Sequence, residues 1–309
     1  MSGPAADDLP ILDAHQHFWD LALGRHPWLR AEPPGPFRYG DPRPLRRSYL
    51  PADYLADARG HRLVGSVHVE AEWDPADPIG ETRWVHELAA RTGWPSAMVA
   101  QAWLDRDDVE EVLARQAAFP LVRGIRHKPR AAAAPDRVVP GAPGSMSDPR
   151  WRAGYARLAR HGLAFDLQAP WWHLAEAAAL ARDFPETPIV LDHAGLPADR
   201  SPDALRGWER AMATLAAEPN VTVKISGLGQ PGRPWTVEGN RDVVRRTIAL
   251  FGADRAMFAS NFPVDGLVAS FATIYAGFAA IVADLPRADR RRLFHDTAAR
   301  VYRVRRPPG

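Results

Sequence analysis

Two histidines near the N-terminus have a spacing that could support chemistry. His15 and His17 are separated by one residue and lie at the end of a short apolar run. Residues two apart on a β-strand face the same side, so a strand here would point both imidazoles in one direction. Two such imidazoles could chelate a metal ion or donate two hydrogen bonds to one oxygen atom.

A third histidine, His193, follows another apolar run and precedes Gly195, a residue typical of turns. At the C-terminal tip of a strand, His193 could converge with His15 and His17. Asp192 comes directly before it and should alternate to the opposite side. We expect Asp192 to hold a loop there or to contact a helical layer.

Asn261 and Asp265 follow the last apolar run of the chain. Asn261 should face the same region as the histidines, with Asp265 just beyond it in a loop. A carboxylate at this place could accept a proton from water, whereas an amide can only orient a group or donate a hydrogen bond. Asp265 is therefore a candidate general base, and Asn261 a candidate orienting residue.

Other residues near the ends of apolar runs are candidates for substrate binding: Trp19, Glu70, Arg126, His127 and Lys224. Lys224 lies inside an otherwise apolar run, where an unpaired ammonium would be costly to bury. Its partner should be a carboxylate, Asp166 or Glu70, and a purely structural ion pair is an equally good interpretation. Lys224 and Lys128 are the two lysines among 39 basic residues, which codon bias toward arginine could explain.

Short apolar runs alternate with longer amphipathic segments along the whole chain. Short runs bounded by glycine and proline are typical of buried parallel strands, and we predict strands at 11–18, 63–71, 96–104, 121–127, 163–169, 188–195, 221–228 and 256–263. Helix-start signals predict helices at 80–92, 105–119, 148–161, 171–184, 201–217, 237–251, 267–284 and about 287–302. This alternation predicts an α/β protein with a single (β/α)₈ TIM barrel. No Gly-rich phosphate loop follows the first strand, which disfavours a doubly wound open sheet.

Two segments do not follow the alternation. Residues 20–53 are rich in proline and arginine, and residues 129–147 are rich in alanine, proline and glycine. Loops after the first and fourth strands of a barrel lie at its C-terminal face, where active sites form. We therefore predict one domain spanning 1–309 in which 20–53 is a lid-like insertion. Both segments should wall the pocket, with disorder as the alternative for 129–147.

The composition excludes several kinds of protein. The chain has no cysteine, which excludes disulfides, thiolate nucleophiles and zinc bound by sulfur. A formal net charge of +2 gives no reason to expect binding to nucleic acid or to a membrane. The N-terminus lacks a signal-peptide pattern, and no apolar stretch approaches ~20 residues. We expect a cytoplasmic protein with a small-molecule substrate, and a homo-oligomer is compatible with the sequence.

Five stretches together resemble the signature of the amidohydrolase-related (amidohydrolase 2) family. They are Asp13-Ala14-His15-Gln16-His17-Phe18-Trp19, Gly124-Ile125-Arg126-His127, Leu191-Asp192-His193-Ala194-Gly195, Val223-Lys224-Ile225-Ser226-Gly227 and Ser260-Asn261-Phe262-Pro263. They come in the family's order and span nearly the whole chain. The resemblance is to the branch that holds the sugar lactonases and 2-pyrone-4,6-dicarboxylate lactonase.

The resemblance implies a distorted (β/α)₈ barrel of the amidohydrolase superfamily that hydrolyses a lactone to a hydroxy acid. It implies that His15 and His17 bind the lactone carbonyl oxygen and that His193 completes the set. Hydrogen-bond donors aimed at a developing oxyanion are the main catalytic contribution in such chemistry. No cofactor is expected on this basis. A divalent metal such as zinc, if bound, would be held by the same three histidines.

The sequence departs from this family at the end of the eighth strand. The lactonases typically carry Ser-Asp-Trp-Pro, with the aspartate as general base, and here the matching residues are Asn261 and Phe262. The base must then be another group, with Asp265 as the nearest carboxylate in sequence and His127 as a second candidate. The change also removes a usual metal ligand.

Three functions follow from these observations. The first is a metal-independent lactonase acting on a sugar-acid or related carboxylated lactone in carbohydrate catabolism. The second is a metal-dependent hydrolase or decarboxylase that uses the same histidines. The third is a catalytically altered binding protein that kept the pocket.

Overall fold

The structure, a computed structural model, describes residues 9–35 and 37–304. Three parts of the chain used in the sequence analysis lie outside the described residues. They are residues 1–8 of the N-terminal stretch without a signal-peptide pattern, Pro36 of the 20–53 insertion, and residues 305–309 at the end of the predicted domain.

The described strands form one parallel sheet: β1 (Ile11–Gln16), β2 (Leu63–Val69), β3 (Ala97–Gln101), β4 (Val122–Arg126), β5 (Ala164–Leu167), β6 (Ile189–Leu191), β7 (Val221–Ile225) and β8 (Ala256–Phe258). Each strand pairs with the next one in sequence. Just beyond β8 the chain returns to β1, where the Asn261 backbone N–H donates to the His15 carbonyl at 2.8 Å. The His17 N–H donates in turn to the Phe262 carbonyl at 2.8 Å. The sheet thus forms a nearly closed barrel, which confirms the predicted fold class.

Helices surround the barrel: α1 (Pro27–Arg30), α2 (Pro51–Asp57), α3 (Gly80–Thr92), α4 (Val109–Ala117), α5 (Pro149–Tyr155), α6 (Leu174–Asp183), α7 (Pro202–Ala216), α8 (Val237–Phe251), α9 (Phe271–Ile281), α10 (Arg287–Arg291) and α11 (Thr297–Val301). A π-helical turn, Arg292–Asp296, joins the last two. At two of the predicted helix starts, the side chains of Asp148 and Ser201 accept hydrogen bonds from backbone N–H groups of α5 and α7 and cap these helices. Among the described residues, no helix combines the length and apolar composition needed to cross a membrane.

The observed strands end earlier than the predicted ones. The predicted strand 188–195 continues past the end of β6 at Leu191, and the predicted strand 256–263 continues past the end of β8 at Phe258. Beyond those ends, His193 and Asn261 have positive φ angles of 56° and 55°. A strand ladder cannot continue through such a conformation, which is uncommon for residues other than glycine. The chain therefore leaves the barrel wall at two candidate site residues.

Small and branched side chains fill the barrel. Val67, Val69, Val99 and Met257 are fully buried in this inner cluster, as expected for strands covered on both faces. Tyr302, which follows α11, packs into the same cluster. A second, larger set of buried residues packs between the strands and the helices.

The insertion 20–53 is anchored at both ends and in its interior. Trp19 and Tyr49 exchange backbone hydrogen bonds of 3.1 and 2.9 Å, which bring its ends together. Within it, the Trp28 indole N–H donates to the Ala71 carbonyl at 2.8 Å. The Trp28 ring stacks on Phe37 with centroids 6.0 Å apart. The insertion therefore lies against the loop that follows β2.

Candidate active site

The three candidate histidines converge at the C-terminal end of the barrel. The Nε2 atoms of His15 and His17 are 3.2 Å apart, and the ring centroids of His15 and His193 are 4.7 Å apart. His15 lies on β1 and His17 directly follows it, so both extend to the same side as the period of two predicts. The structure therefore brings the predicted set together.

Burial lowers the pKa of all three histidines well below the usual value, and nearby charges strengthen the effect. The Lys224 ammonium acts on His15, and the Arg126 guanidinium acts on His17. Each ring is therefore neutral near pH 7. A neutral imidazole offers one N–H donor and one lone pair.

The hydrogen bonds of His15 and His17 assign their protons. Nδ1 of His17 is 2.7 Å from the Val69 carbonyl, which can only accept, so this nitrogen carries the proton. Nε2 of His17 therefore holds a lone pair, and Nε2–H of His15 donates to it. Nδ1 of His15 lies 3.3 Å from both the Lys224 ammonium and Asp192 Oδ1. With the His15 proton on Nε2, Nδ1 accepts from Lys224, and the same ammonium pairs with Asp192.

A fully buried charge network lies beneath His15. Lys224 donates to Asp166 at 2.5 Å and forms an ion pair with Asp192 at 3.1 Å. The Tyr302 hydroxyl also donates to Asp166, at 2.7 Å. The expected Lys224–Asp166 pair is thus present, and Lys224 lies below the cavity with no exposed surface, so it does not reach a ligand there.

The expectation for Asp192 was wrong, because this residue faces the barrel interior. Its Oδ1 is 3.3 Å from Nδ1 of His15 and 3.1 Å from Nζ of Lys224. The chain leaves β6 after Leu191 and enters a 3-10 turn at Asp192. Strand alternation therefore no longer applies to Asp192, and its carboxylate becomes part of the support under His15.

His193 is held in a strained backbone conformation. Its φ is 56°, and Ala194 and Leu196 also have positive φ angles, a state that costs energy in residues other than glycine. Its Nδ1 is 2.8 Å from the Ser226 hydroxyl. Gly227 leaves the necessary space, because a Cβ there would lie 2.8 Å from the His193 ring. Nε2 of His193 forms no hydrogen bond with any of the described residues.

The end of β8 places Asn261 at the cavity and Asp265 behind it. The Asn261 amide donates to Asp265 at 2.6 Å, and the Tyr39 hydroxyl from the insertion donates to the same oxygen at 2.9 Å. Burial raises the pKa of Asp265 to about 6, against the effect of the Arg38 charge. Asp265 is thus an enclosed carboxyl, which Asn261 separates from the cavity.

A buried aspartate joins the two sides of the site from below. Asp13 accepts from the Ser260 N–H at 2.8 Å, the Ser260 hydroxyl at 2.5 Å and the Tyr54 hydroxyl at 2.8 Å. Burial nevertheless raises its pKa. Asp13 therefore fixes the end of β8 against β1 and, with it, the positions of Asn261 and His15.

A cavity of about 400 Å³ opens at the histidines. His17 and His193 line it together with aromatic and polar residues of the insertion and the strand-end loops: Trp19, Trp28, Phe37, Arg38, Glu72, Arg126, Lys128, Gln168 and Asn261. Several of its lining residues come from 20–53 and none from 129–147. The latter segment instead packs near α6, where the Ala132 N–H donates to Nε2 of His173 at 2.8 Å.

Two ion pairs stand at the side of the cavity. Arg126 donates through Nε to Glu70 at 2.5 Å, and both side chains are buried. Burial raises the pKa of the Glu70 carboxyl, but the charges of Arg126 and Lys128 and the hydrogen bonds from Arg126 and the Glu72 N–H together outweigh it, and the pKa is lowered. Lys128 forms an ion pair with Glu72, and both side chains are exposed.

The predicted substrate-binding residues separate into two groups. Trp19 lines the main cavity, whereas Glu70 and His127 line a neighbouring cavity of about 330 Å³, and Arg126 lies between the two and lines both. Nδ1 of His127 accepts from the Leu104 N–H at 3.1 Å and from the Trp151 indole at 3.0 Å. His127 is thus held by structural donors and does not reach the histidine cluster.

Sequence reasoning missed Arg38, Tyr39 and Phe37 as contributors to the site. They lie in a segment without a period, and Arg38 is one of many arginines. The adjacent aromatic residues were a signal for packing only. No rule of strand alternation could have placed them at the cavity.

Two nitrogen atoms have a spacing suitable for a metal ion. The 3.2 Å between Nε2 of His15 and Nε2 of His17 is close to that of two ligands in a tetrahedral zinc site with bonds of about 2.0–2.1 Å. However, no group of three His, Asp or Glu side chains within residues 9–35 and 37–304 could hold a metal ion. Asn261, which lines the cavity, offers an amide and not a carboxylate. The described donors therefore do not fit a three-ligand metal centre.

The sequence of this chain is similar to a known protein family and to individual members of it. The family model described as amidohydrolase matches residues 12–304. Uncharacterized protein y4mH of Sinorhizobium fredii is 41% identical over 297 residues, covering 96% of this chain and 99% of that protein. An L-fucono-1,5-lactonase of Burkholderia ambifaria is 31% identical over 312 residues, covering 96% of this chain and 97% of that protein.

A solved structure shows the same architecture. The crystal structure of an amidohydrolase from Burkholderia multivorans with bound zinc has a TM-score of 0.79 and 27% sequence identity. The match covers 96% of this chain and 99% of that chain. The similarity therefore extends over nearly the whole length of both proteins.

Proposed function

The chain belongs to the amidohydrolase family, as its motifs predict, and from that premise we propose that it is a lactonase. It opens a sugar-acid lactone, or a related carboxylated lactone, by the attack of water. The observation that carries this proposal is the convergence of His15, His17 and His193 at a cavity of about 400 Å³. The similarity to an L-fucono-1,5-lactonase over nearly the whole chain supports the lactone class.

The first task of the site is to polarise the lactone carbonyl. Asn261 lines the cavity and keeps a second amide hydrogen besides the one it gives to Asp265. We assign this neutral donor to the carbonyl oxygen, while His15, whose Nε2–H already donates to His17, holds the His17 ring in place. Fixed donors of this kind stabilise the oxyanion that forms when water adds to the carbonyl.

The second task is to take a proton from the attacking water, and we assign it to His193. We place its proton on Nδ1, which lies 2.8 Å from the Ser226 hydroxyl, so that the lone pair is on Nε2 of this cavity-lining ring. Asp265 is the alternative base, but Asn261 and Tyr39 enclose it. Water adds to the carbonyl carbon as its proton passes to Nε2 of His193. The ring C–O bond then breaks, and the proton returns to the leaving oxygen.

The cavity lining supports a sugar ring as the substrate. The Trp28 and Phe37 rings are nearly parallel, at 4° to each other, and offer an apolar face. Arg126, Glu72 and Gln168 offer hydrogen-bonding groups. Mostly apolar walls with a few polar groups are usual in small-molecule sites.

The test is hydrolysis of a panel of aldono-1,5-lactones, including L-fucono-1,5-lactone, measured as acid release against the spontaneous rate. We expect catalysis by the wild type and a kcat lower by about 10²–10⁴ in His193→Asn, since general base catalysis supplies this much. His161→Asn is the matched control. His161 pairs with Glu110 on the outside of the barrel and should be dispensable.

Other outcomes would point to the alternative functions. Loss of activity on chelator treatment, with its return on adding zinc, would favour the metal-dependent hydrolase. Release of carbon dioxide from a carboxylated substrate would favour a decarboxylase. Binding of lactones without turnover above the spontaneous rate would contradict the lactonase proposal and favour an altered binding protein.

A further inference from the structure

The charges that line the main cavity are not fully paired. Arg126 pairs with Glu70, and Lys128 pairs with Glu72. Arg38 of the insertion lines the same cavity, yet it forms no ion pair with any carboxylate of the described residues. Its charge lowers the pKa of Asp265, but the two groups are too far apart to form a salt bridge. The cavity therefore holds one cation that protein carboxylates do not pair directly.

The backbone and the Tyr39 ring fix the position of Arg38. One terminal nitrogen donates to the Gly227 carbonyl at 2.5 Å, and the guanidinium carbon lies 4.7 Å from the centre of the Tyr39 ring. A guanidinium has five N–H donors, and this is its one protein hydrogen bond among the described residues. Donors thus remain for a ligand.

Arg38 lies beside the proposed general base. A Cβ on Gly227 would lie 2.8 Å from Nδ1 of His193 and 2.9 Å from a terminal nitrogen of Arg38, so the two side chains flank the same glycine. The Arg38 charge also contributes to the lowered pKa values of His15 and His193. It is therefore close enough to act on a group bound at the histidines.

We propose that Arg38 is the anion-binding residue of the site and receives the carboxylate of a hydroxy acid beside His193. This inference rests on the proposed function, because opening a neutral lactone creates that carboxylate. Guanidinium and carboxylate form charge-assisted, often bidentate hydrogen bonds. The ligand class is therefore an aldonate or a hydroxy acid of similar size.

The test compares acids with neutral sugars of the same stereochemistry in calorimetric titrations. L-fuconate and D-gluconate are the anionic probes, and L-fucose and D-glucose are the neutral ones. We expect Arg38→Met to weaken aldonate binding by about 10- to 100-fold, as loss of a hydrogen bond to a charged group implies. Binding of the neutral sugars should change less than twofold, and Arg38→Lys should restore part of the aldonate affinity.

Lys128→Met is the matched control, because it removes a cavity cation that already has a carboxylate partner. It should change aldonate affinity far less than Arg38→Met does. Unchanged aldonate affinity in Arg38→Met, equal losses for acids and sugars, or no aldonate binding by the wild type would each overturn the inference. These titrations need no turnover. Aldonate binding through Arg38 without lactone hydrolysis would contradict the proposed function alone.

Discussion

The floor and the roof of the cavity are built on different physical principles. The floor is the set of barrel residues under the histidines, namely Asp166, Asp192, Lys224 and Tyr302, and all are fully buried or nearly so. The roof is the insertion 20–53 together with Glu72 and Lys128, and much of it is exposed. In the floor each charge faces an opposite charge within 3.1 Å. In the roof, Arg38 has no such partner among the described residues.

This difference separates what fixes the chemistry from what admits the substrate. A buried ion pair that loses one partner leaves an uncompensated charge in a dry interior, which is strongly destabilising. An exposed pair contributes little. The floor must therefore stay intact for the histidines to keep their geometry, whereas the roof can change with little effect on folding.

The two lysines test this contrast most directly. Lys224→Met should lower the free energy of unfolding by about 3–5 kcal/mol, because Asp166 and Asp192 would remain buried without their cation. Lys128→Met should change it by less than about 0.5 kcal/mol, since its pair with Glu72 is exposed. Urea unfolding of both variants measures the difference. Equal losses would abolish the distinction between floor and roof.

Part of the floor, and the histidine pair above it, could be predicted from the sequence. The period of two in strands placed His15 and His17 together, and the apolar run around Lys224 identified it as an interior residue in need of a carboxylate. The rule failed where a strand ended. Asp192 was expected to face outward, because nothing in the sequence marks the point at which β6 gives way to a turn.

Asp265 connects the two regions, because the roof residue Tyr39 donates to it at the end of β8. Burial raises its pKa from 3.8 to about 6. Between these pH values the native state keeps a proton that the unfolded state has lost, so the contribution of Asp265 to stability falls as the pH rises. Asp265→Asn keeps an oxygen for both donors and removes this titration. The free energy of unfolding of Asp265→Asn minus that of the wild type should therefore increase by about 2–3 kcal/mol from pH 4 to pH 7.

Unfolding in urea at several pH values measures this change, and Asp199→Asn provides a control. Asp199 is exposed, and hydrogen bonds from Ser201 lower the pKa of its carboxylate, so its contribution to stability is lost as the pH falls, opposite to that of Asp265. A constant stability difference between Asp265→Asn and wild type across this pH range would mean that burial does not raise the pKa of Asp265.

The roof could not be predicted in the same way. The insertion has no strand or helix period, so its aromatic and arginine residues gave no direction. What places Arg38, Phe37 and Trp28 at the cavity is a set of single contacts to distant backbone carbonyls and rings. Such contacts depend on the folded barrel and leave no local sequence signal.

Trp28→Phe tests how firmly those single contacts hold the roof, and it should have the smallest effect of all. The change removes the indole hydrogen bond to the Ala71 carbonyl but keeps an aromatic ring against Phe37. A net loss of about 1 kcal/mol corresponds to a rise in KM of up to about fivefold. The kcat for the lactone should stay the same, because Trp28 binds substrate and transition state alike. The control is Trp84→Phe, on α3 and outside the cavity lining, which should leave both KM and kcat unchanged. A fall in kcat for Trp28→Phe would mean that the roof takes part in the chemistry itself.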